Sequence, residues 1–294
     1  MFTIFNVQDK VVAVIPAHNE ESTLIEVIDK VFSYCDNVIV INDSSTDDTK
    51  NLLNNYNNKN LITIENKKKL GIGGSMKKGI RKALELEPKI IIKIDADGQH
   101  KPEDIPRFIK KLEDGNYDLI KGNRFFDIKS LEKMPKIKMF GNLITTNIQK
   151  IVSGNYAISD PNNGFLAIKG SCLNSINLNQ LNNEYFFENS LSIIFNAYKF
   201  KIAEIGIETI YKNEKGSIPI FLAGIKIIPV FFILLFKKNV LAAKLQLSIN
   251  SIIFFLGIFI FSINLFLQIK LLWLFFLFMI FVYLLIDIVN FLTK

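Results

Sequence analysis

The stretch IIKIDADGQHKPED, residues 91–104, places acidic side chains at the end of an apolar run. Isoleucines interrupted by one lysine are typical of a strand. Asp95 and Asp97 follow this run, and Gln99 comes two residues later. In an extended segment, side chains two residues apart point to the same side. Carboxylate and amide oxygens are the ligands that Mg²⁺ and Mn²⁺ prefer, so the stretch predicts a divalent cation site at a strand end.

Similar apolar, β-branched runs recur along the first part of the chain, with amphipathic segments between them. The runs lie at residues 11–15, 37–41, 61–64, 89–94 and 117–120. Strands that alternate with helices predict a mostly parallel sheet with helices on both faces. Downstream we expect a helix at about residues 137–151, a short strand after DPNNGF, a helix within 183–200 and a closing strand within 201–211.

Polar segments follow four of these runs. They are PAHNE (16–20), NDSSTDD (42–48), DADGQ (95–99) and KGNRF (121–125). Ligands of such sheets bind beyond the carboxyl ends of the strands, so we expect these segments to lie together.

The glycine-rich stretch GIGGS, residues 71–75, differs from a dinucleotide-binding loop. Met76 stands where the third glycine of that loop would be. We therefore expect no dinucleotide cofactor, and instead a phosphate or a close backbone approach near a helix start.

The C-terminal part of the chain is strongly apolar. The whole sequence is 49% hydrophobic and contains 26 phenylalanines, which is high for a soluble protein. Between Gln246 and Asn290 the only charged residues are Lys270 and Asp287. Because a bilayer core needs about 20 apolar residues per helix, this length predicts two transmembrane helices. We place them at about 247–267 and 271–291, as a hairpin.

The segment before this hairpin, residues 218–244, is apolar but carries lysines. Lys226, Lys237 and Lys244 fall on one side of a helix, which is typical of helices lying in the headgroup plane. A third span is the alternative, although it would carry lysines across the membrane against the positive-inside tendency. We therefore divide the chain into a folded domain (1–217), interfacial helices (218–244) and two transmembrane helices (245–294).

This division predicts a multi-pass protein of the cell membrane with its folded domain on the cytoplasmic side. The start MFTIFNVQDK shows no signal-peptide pattern, and Cys35 and Cys172 are expected to be reduced packing residues. The net charge of +7 suits an anionic membrane surface. The lysines are scattered, so we do not expect nucleic acid as a partner. The membrane helices are also a candidate surface for homo-oligomers.

Seven segments together resemble a known family. VVAVIPAHNEES, VIVINDSSTDDT, GIGGSMKKGI, IDADGQHKPED, GNRF, DPNNGF and YFFEN occur in this order. In order and spacing they are similar to family 2 glycosyltransferases, whose α/β domain has the GT-A fold. More narrowly, they resemble the dolichyl-phosphate mannose synthase and polyprenyl-phosphate glycosyltransferase branch. The resemblance covers about residues 10–217.

The resemblance implies roles for individual residues. The residues implied to bind the nucleotide-sugar donor are Pro16, His18, Glu20, Ile41, Asp43, Asp95, Ala96, Arg124 and Lys212. Those implied to hold Mg²⁺ or Mn²⁺ are Asp95, Asp97 and Gln99, and Asp97 and Arg124 are implied to be catalytic. His18 replaces the usual tyrosine, and Asn42 and Ser44 depart from the V-D-D-G-S pattern, which leaves the preferred base open.

The nature of the acceptor decides what else the site needs. A lipid phosphate is already largely ionised near neutral pH and needs cations rather than a base. Arg124, one of three arginines in the chain, suits bidentate phosphate contact. A hydroxyl acceptor would need a carboxylate base. Asp160 and Glu188 are the candidates, although Asp160 also suits a turn cap and Glu188 a helix start. His100 is expected to order the DADGQ loop or to contact the diphosphate.

These expectations combine into one predicted activity. The protein would move a single sugar from GDP-mannose or a UDP-hexose to polyprenyl or dolichyl phosphate at the cytoplasmic membrane face. The reaction would depend on a metal and invert the anomeric centre. The alternatives are a glycosyltransferase acting on a lipid or polysaccharide hydroxyl, a non-catalytic membrane scaffold, and a nucleotidyltransferase that releases pyrophosphate.

Overall fold

A seven-stranded sheet forms the centre of the folded domain in the computed structural model. The structure describes residues 10–126, 136–153, 155 and 157–210, and in the C-terminal part residues 233, 235–236, 238–240, 253–254, 256–261 and 276–286. The strands are β1 (Val11–Ala17), β2 (Asn37–Asn42), β3 (Leu61–Glu65), β4 (Ile90–Lys93), β5 (Leu119–Asn123), β6 (Leu166–Lys169) and β7 (Ile202–Gly206).

Six of the seven strands, all except β6, have their carboxyl ends on the same side of the sheet. Across the sheet the order is β3-β2-β1-β4-β6-β5-β7. All neighbours are parallel except β6, which runs antiparallel to both β4 and β5. The chain moves outward from β1 to β3 and then returns to the other side of β1 with β4. Ligands of open α/β sheets bind beside such a reversal, and DADGQ lies there.

Helices cover both faces of the sheet, as the sequence predicts. They are α1 (Leu24–Phe32), α2 (Thr49–Asn55), α3 (Gly71–Leu84), α4 (Ile105–Asp114), α5 (Lys136–Ser153), α6 (Gly170–Ser175) and α7 (Phe187–Ala197). One apolar core joins α1 and α4 to the sheet, and a second joins α3, α6 and α7 to it.

The packing of α1 illustrates how the sequence pattern fixes a helix. Its buried residues, Leu24, Val27, Ile28 and Val31, recur at the spacing of one helix face. Each fully buried side chain of this kind contributes about 1.5–3 kcal/mol, so burial of this stripe holds α1 against the sheet.

Most predicted elements are confirmed with small shifts. The strand expected at 117–120 runs from Leu119 to Asn123, and the helix expected at 137–151 spans Lys136–Ser153. The segment GIGGS forms the first turns of α3. A Cβ at Gly73 would overlap the backbone oxygen of Asn182, which confirms the expected close backbone approach.

The predicted membrane segments lie largely outside the described residues. Within the parts that the structure describes, every helix is too short or too polar to cross a bilayer. Residues 256–261 and 276–286 are helical. Residues 253–254 are helical as well. Ring contacts join these segments in antiparallel order, with centroids 5.0 Å apart for Phe261 and Phe276 and 6.0 Å apart for Phe254 and Tyr283.

Candidate active site

The DADGQ segment leaves β4 in a turn that exposes its polar side chains. Ala96 is buried, whereas Asp95, Asp97 and Gln99 are partly exposed. Gly98 has a φ of 69°, a backbone conformation that favours glycine. The backbone N–H of Gln99 donates to Asp97 Oδ1 at 2.9 Å, which fixes the turn. The two carboxylates of the sequence motif are therefore presented at the carboxyl edge of the sheet.

Lys93, the last residue of β4, is a buried cation beneath this turn. Its Nζ lies 2.6 Å from Asp95 Oδ1 and 3.0 Å from the carbonyl oxygen of Gly164, to which it donates. It also lies 2.9 Å from Glu188 Oε1, an ion contact that is not aligned as a hydrogen bond. The side chain of Lys93 is fully buried. One ammonium thus forms ion contacts with two carboxylates, one on the turn and one on α7.

Asp95 and Lys93 each stabilise the charged form of the other. Burial alone raises the pKa of the Asp95 carboxyl, but the ammonium of Lys93 and the hydrogen bond with His100 outweigh it and hold that pKa well below its usual range. Burial alone lowers the pKa of the Lys93 amine, but Asp95 and Glu188 outweigh it and raise that pKa. Both groups are therefore charged at neutral pH.

His100 packs behind the same turn, as expected for a residue that orders it. Its Nε2 lies 3.4 Å from Asp95 Oδ2, and its ring centroid lies 5.4 Å from that of Phe165. The ring is buried, and Nδ1 has no hydrogen-bond partner among the described residues. The ring therefore limits where the second carboxylate oxygen of Asp95 can point.

Arg124 follows β5 and is held by Asp160. Its Nε and Nη2 donate to the two carboxylate oxygens of Asp160, each at 2.7 Å, and its backbone N–H also donates to Asp160 Oδ2. Asp160 is fully buried. Burial raises the pKa of its carboxyl, but the guanidinium of Arg124 outweighs burial and lowers that pKa. Asp160 is therefore a fixed anion that orients Arg124 and is poorly suited to accept a proton.

Glu204 of β7 forms hydrogen bonds that hold the segments carrying Arg124 and Asp160 together. Its Oε1 accepts the backbone N–H groups of Ser159 and Asp160, and its Oε2 accepts a hydrogen bond from Asn123 Nδ2 at 2.6 Å. Burial raises the pKa of the Glu204 carboxyl. This side chain ties the DPNNG turn to the end of β5 and so fixes the distance between Asp160 and Arg124.

The structure also brings together the residues expected on the donor side. Asp43, after β2, accepts hydrogen bonds from the backbone N–H groups of Leu70 and Gly71 at 2.8 and 2.9 Å, and Asn66 Nδ2 donates to it at 2.8 Å. The His18 ring nitrogen Nδ1 lies 2.9 Å from the carbonyl oxygen of Asp43. Asp43 therefore anchors the start of α3, a role that the sequence does not indicate.

The remaining donor-side residues lie at the same edge. Pro16 of β1 pairs with Ile41 of β2. Glu20 accepts a 3.4 Å hydrogen bond from Thr23 before α1, and its backbone N–H donates to Thr49. Lys212 lies outside the described residues.

Three buried charged residues of the site are absent from the sequence-based set: Lys93, Lys121 and Glu204. Lys121 of β5 donates to the carbonyl oxygen of Asn163 at 3.4 Å, and burial lowers the pKa of its amine to about 8. A signal for all three is present in the sequence, because each interrupts an apolar strand with a charge.

The oxygen donors at the turn fit a hard divalent cation. Asp95, Asp97 and Gln99 offer carboxylate and amide oxygens on partly exposed side chains. In the described part of the chain, no three His, Cys, Asp or Glu side chains converge into a protein-only cage. A cation held here would therefore take most of its ligands from water and phosphate oxygens, as Mg²⁺ usually does.

Comparisons with known proteins identify the family of the chain. The family described as "Glycosyl transferase family 2" matches residues 12–174. The UDP-N-acetylglucosamine–dolichyl-phosphate N-acetylglucosaminyltransferase of Methanococcus voltae is 31% identical over 213 residues, which cover 67% of this chain and 84% of that protein. The dolichol-phosphate mannosyltransferase of Pyrococcus furiosus is 26% identical over 211 residues, 67% of this chain and 55% of that protein.

The fold also has solved counterparts. The glucosyl-3-phosphoglycerate synthase of Mycobacterium tuberculosis, in complex with Mn²⁺, UDP-glucose and phosphoglyceric acid, aligns with a TM-score of 0.60 and 18% identity. The alignment covers 79% of this chain and 80% of that chain. The family match covers more than half of the 294 residues. The chain therefore belongs to glycosyl transferase family 2 and is a glycosyltransferase with a GT-A-like fold.

Proposed function

We propose that the protein transfers one sugar from a nucleotide-sugar donor, GDP-mannose or a UDP-hexose, to polyprenyl or dolichyl phosphate. The observation that carries the proposal is that the two candidate bases, Asp160 and Glu188, already pair with cations of the chain. Asp160 is clamped by Arg124, and Glu188 lies 2.9 Å from the buried ammonium of Lys93. The acceptor therefore brings its own negative charge.

This argument separates the two classes of acceptor. A hydroxyl group must lose a proton as it attacks, and a positioned base within hydrogen-bond reach normally accepts it. A phosphate monoester is already largely ionised at neutral pH and loses none. Asp160 has a lowered pKa and is fully buried, so it is unsuited to the first task. The names of the Methanococcus and Pyrococcus relatives, both dolichyl- or dolichol-phosphate transferases, support a phosphate acceptor.

The metal would be held by Asp95, Asp97 and Gln99. A divalent cation bound there would neutralise the charge that develops on the departing diphosphate. Support comes from the oxygen donors at the turn and from the Mn²⁺ and UDP-glucose in the solved Mycobacterium structure. Either Mg²⁺ or Mn²⁺ suits these hard ligands.

The residues of this chain would orient the reactants for one displacement. A phosphate oxygen of the acceptor attacks the anomeric carbon, and the bond from that carbon to the nucleoside diphosphate breaks. The leaving diphosphate takes the electron pair, so the anomeric configuration inverts. Arg124, held in place by Asp160, supplies positive charge for phosphate oxygens.

We further propose that the C-terminal segment anchors the enzyme in the cell membrane as a helical hairpin, with the folded domain on the cytoplasmic side. Large exposed apolar side chains support this, among them Phe259, Leu277, Phe278 and Phe281. The antiparallel ring contacts between residues 254–261 and 276–283 support it as well. Leu235 packs beside Val152 of α5, which suits interfacial helices lying against the domain. The same apolar faces would serve homo-oligomers.

The proposal is tested with the full-length protein in detergent, a panel of radiolabelled UDP- and GDP-sugars, and polyprenyl phosphate. We expect labelled lipid, one nucleoside diphosphate released per sugar transferred, and loss of both on chelation of divalent cations. In a separate reaction with a nucleoside triphosphate and a sugar phosphate, release of pyrophosphate would instead indicate a nucleotidyltransferase. Donor binding without release of any nucleotide, with every lipid tried, would indicate a scaffold.

A further inference from the structure

Lys93 is an unusual residue for its position. It ends β4, a central strand with all four of its residues buried, and its neighbours on that strand are isoleucines. Removing an ammonium from water costs free energy that an isoleucine at this position would avoid. A residue that breaks the local pattern in this way is expected at functional sites.

The surroundings of Lys93 exclude direct contact with substrate. Its ammonium donates hydrogen bonds to Asp95 and to the carbonyl oxygen of Gly164, and it lies 2.9 Å from Glu188 Oε1, so oxygens of this chain surround it. The side chain has no exposed surface. Lys93 therefore acts on the chemistry only through the groups that it holds.

These groups belong to segments that are distant in sequence. Asp95 lies on the turn after β4, Gly164 ends the turn that begins at Asp160, and Glu188 lies in the first turn of α7. The turn that begins at Asp160 also holds Arg124 through that residue. Lys93 thus connects the proposed metal-binding turn with the side of the site that carries Arg124.

We propose that Lys93 is a positioning residue that fixes the metal-binding orientation of Asp95, an inference that rests on the function proposed above. Lys93 binds Oδ1 of Asp95 and so fixes the orientation of the carboxylate, whose Oδ2 has a second lone pair to offer a cation beside its contact with His100. A Cβ at Gly164 would overlap Oδ2, so the glycine keeps the space beside that oxygen. His100 Nε2, at 3.4 Å from Oδ2, bounds it from another direction.

The test measures Mn²⁺ binding in the absence of donor and acceptor. The probe is MnCl₂ titrated into the full-length protein in detergent, with free Mn²⁺ followed by electron paramagnetic resonance. The main variant is Lys93→Met combined with Glu188→Gln, so that no carboxylate partner on α7 is left buried and unpaired. Removing a partner that orients a metal ligand typically weakens metal affinity about 10- to 100-fold, and we expect a loss of that size.

Two further variants keep the test decisive. Lys77→Met removes another buried lysine, which lies on α3 and donates to the carbonyl oxygen of Leu181, and should retain wild-type Mn²⁺ affinity. Gly164→Ala leaves every buried charge in place but crowds both Asp95 Oδ2 and Lys93 Nζ, and should weaken Mn²⁺ binding. Melting temperatures, measured on the same samples, show that each variant is folded at the titration temperature.

The outcomes are distinct. Wild-type Mn²⁺ affinity in the folded Lys93 and Gly164 variants overturns the inference. An equal loss of affinity in Lys77→Met, or the absence of Mn²⁺ binding to the wild type, overturns it as well. If the Lys93 variant alone does not fold, the Mn²⁺ affinity of Gly164→Ala tests the inference, and a wild-type value overturns it. If the wild type binds Mn²⁺ but transfers no sugar to any lipid phosphate, the proposed function fails while the positioning role of Lys93 is still tested.

Discussion

Arg124 and Asp160 form a two-point ion pair, with Nε and Nη2 each 2.7 Å from a carboxylate oxygen. The aspartate is fully buried, whereas the arginine side chain is 17% exposed. The carboxylate is therefore shielded from solvent, and the guanidinium lies nearer to the surface. This geometry makes Asp160 the partner that orients a cation and argues against its use as a base.

Removing Arg124 should damage both stability and activity. Arg124→Ala leaves the Asp160 carboxylate buried without its partner, which typically costs about 3–5 kcal/mol of unfolding free energy. Arg124→Lys keeps the charge but loses the bidentate fork, so it should recover part of the stability and little of the sugar transfer. Urea unfolding and transfer assays measure the two effects. Arg81→Ala, at an exposed arginine, is the control. Full activity in Arg124→Ala would contradict a role in phosphate binding.

Glu204 should give stability a specific dependence on pH. Burial raises its folded-state pKa above the unfolded value, so its charged form is disfavoured in the folded protein. As the pH falls through the raised pKa, the wild type should gain stability relative to Glu204→Gln. The gain is complete below the ordinary glutamate pKa of about 4.3. Urea unfolding of both proteins from pH 7 downward measures the unfolding free energy of the wild type relative to that of Glu204→Gln. If this relative stability stays constant or falls on acidification, the pKa of Glu204 is not raised in the folded protein.

Asp97 should be required for metal-dependent transfer and dispensable for folding. Asp97→Ala removes one of two carboxylates at a partly exposed turn. Loss of a group that stabilises developing charge typically lowers kcat about 10²- to 10³-fold, and we expect at least that. Mn²⁺ titration and transfer assays measure the effect, with Asp114→Ala, an exposed acidic residue on α4, as control. Unchanged Mn²⁺ dependence in Asp97→Ala would remove it from the metal site.

Asp43 should matter for structure as well as for the donor. Asp43→Ala leaves the backbone N–H groups of Leu70 and Gly71 without their acceptor at the start of α3. Unsatisfied buried groups of this kind cost about 1–3 kcal/mol each, so unfolding free energy should fall by at least that amount. Asp43→Asn keeps an oxygen acceptor, so its unfolding free energy should fall by less than that of Asp43→Ala. Equal stability of the wild type and Asp43→Ala would show that these hydrogen bonds contribute nothing.

Much of the fold could be predicted because local patterns reflect it directly. Apolar runs such as 11–15 and 37–41 become buried parallel strands, and their spacing leaves room for one helix between neighbours. The DxD spacing at Asp95 and Asp97 predicts a polar strand end, and the structure places it beside β1 at the reversal of strand order. These features depend on residues close to one another in sequence.

The remaining features depend on partners distant in sequence. Lys93 meets Gly164 and Glu188, which are 71 and 95 positions away, and no local pattern indicates either contact. Glu204 reaches Asn123 across 81 positions in the same way. GIGGS resembles a loop by composition, yet it begins α3 because its glycines let the backbone of Asn182 and Asn183 approach closely. Tertiary packing therefore outweighs local propensity there.

The most direct test of the central proposal compares two acceptors that differ only in the phosphate. Full-length enzyme, Mn²⁺ and the preferred nucleotide sugar are incubated with polyprenyl phosphate or with the corresponding polyprenol, and labelled lipid is measured over time. With its candidate bases committed to Arg124 and Lys93, the site should transfer sugar to the phosphate and none to the alcohol. Comparable transfer to the alcohol would contradict the phosphate-nucleophile mechanism and favour a hydroxyl acceptor.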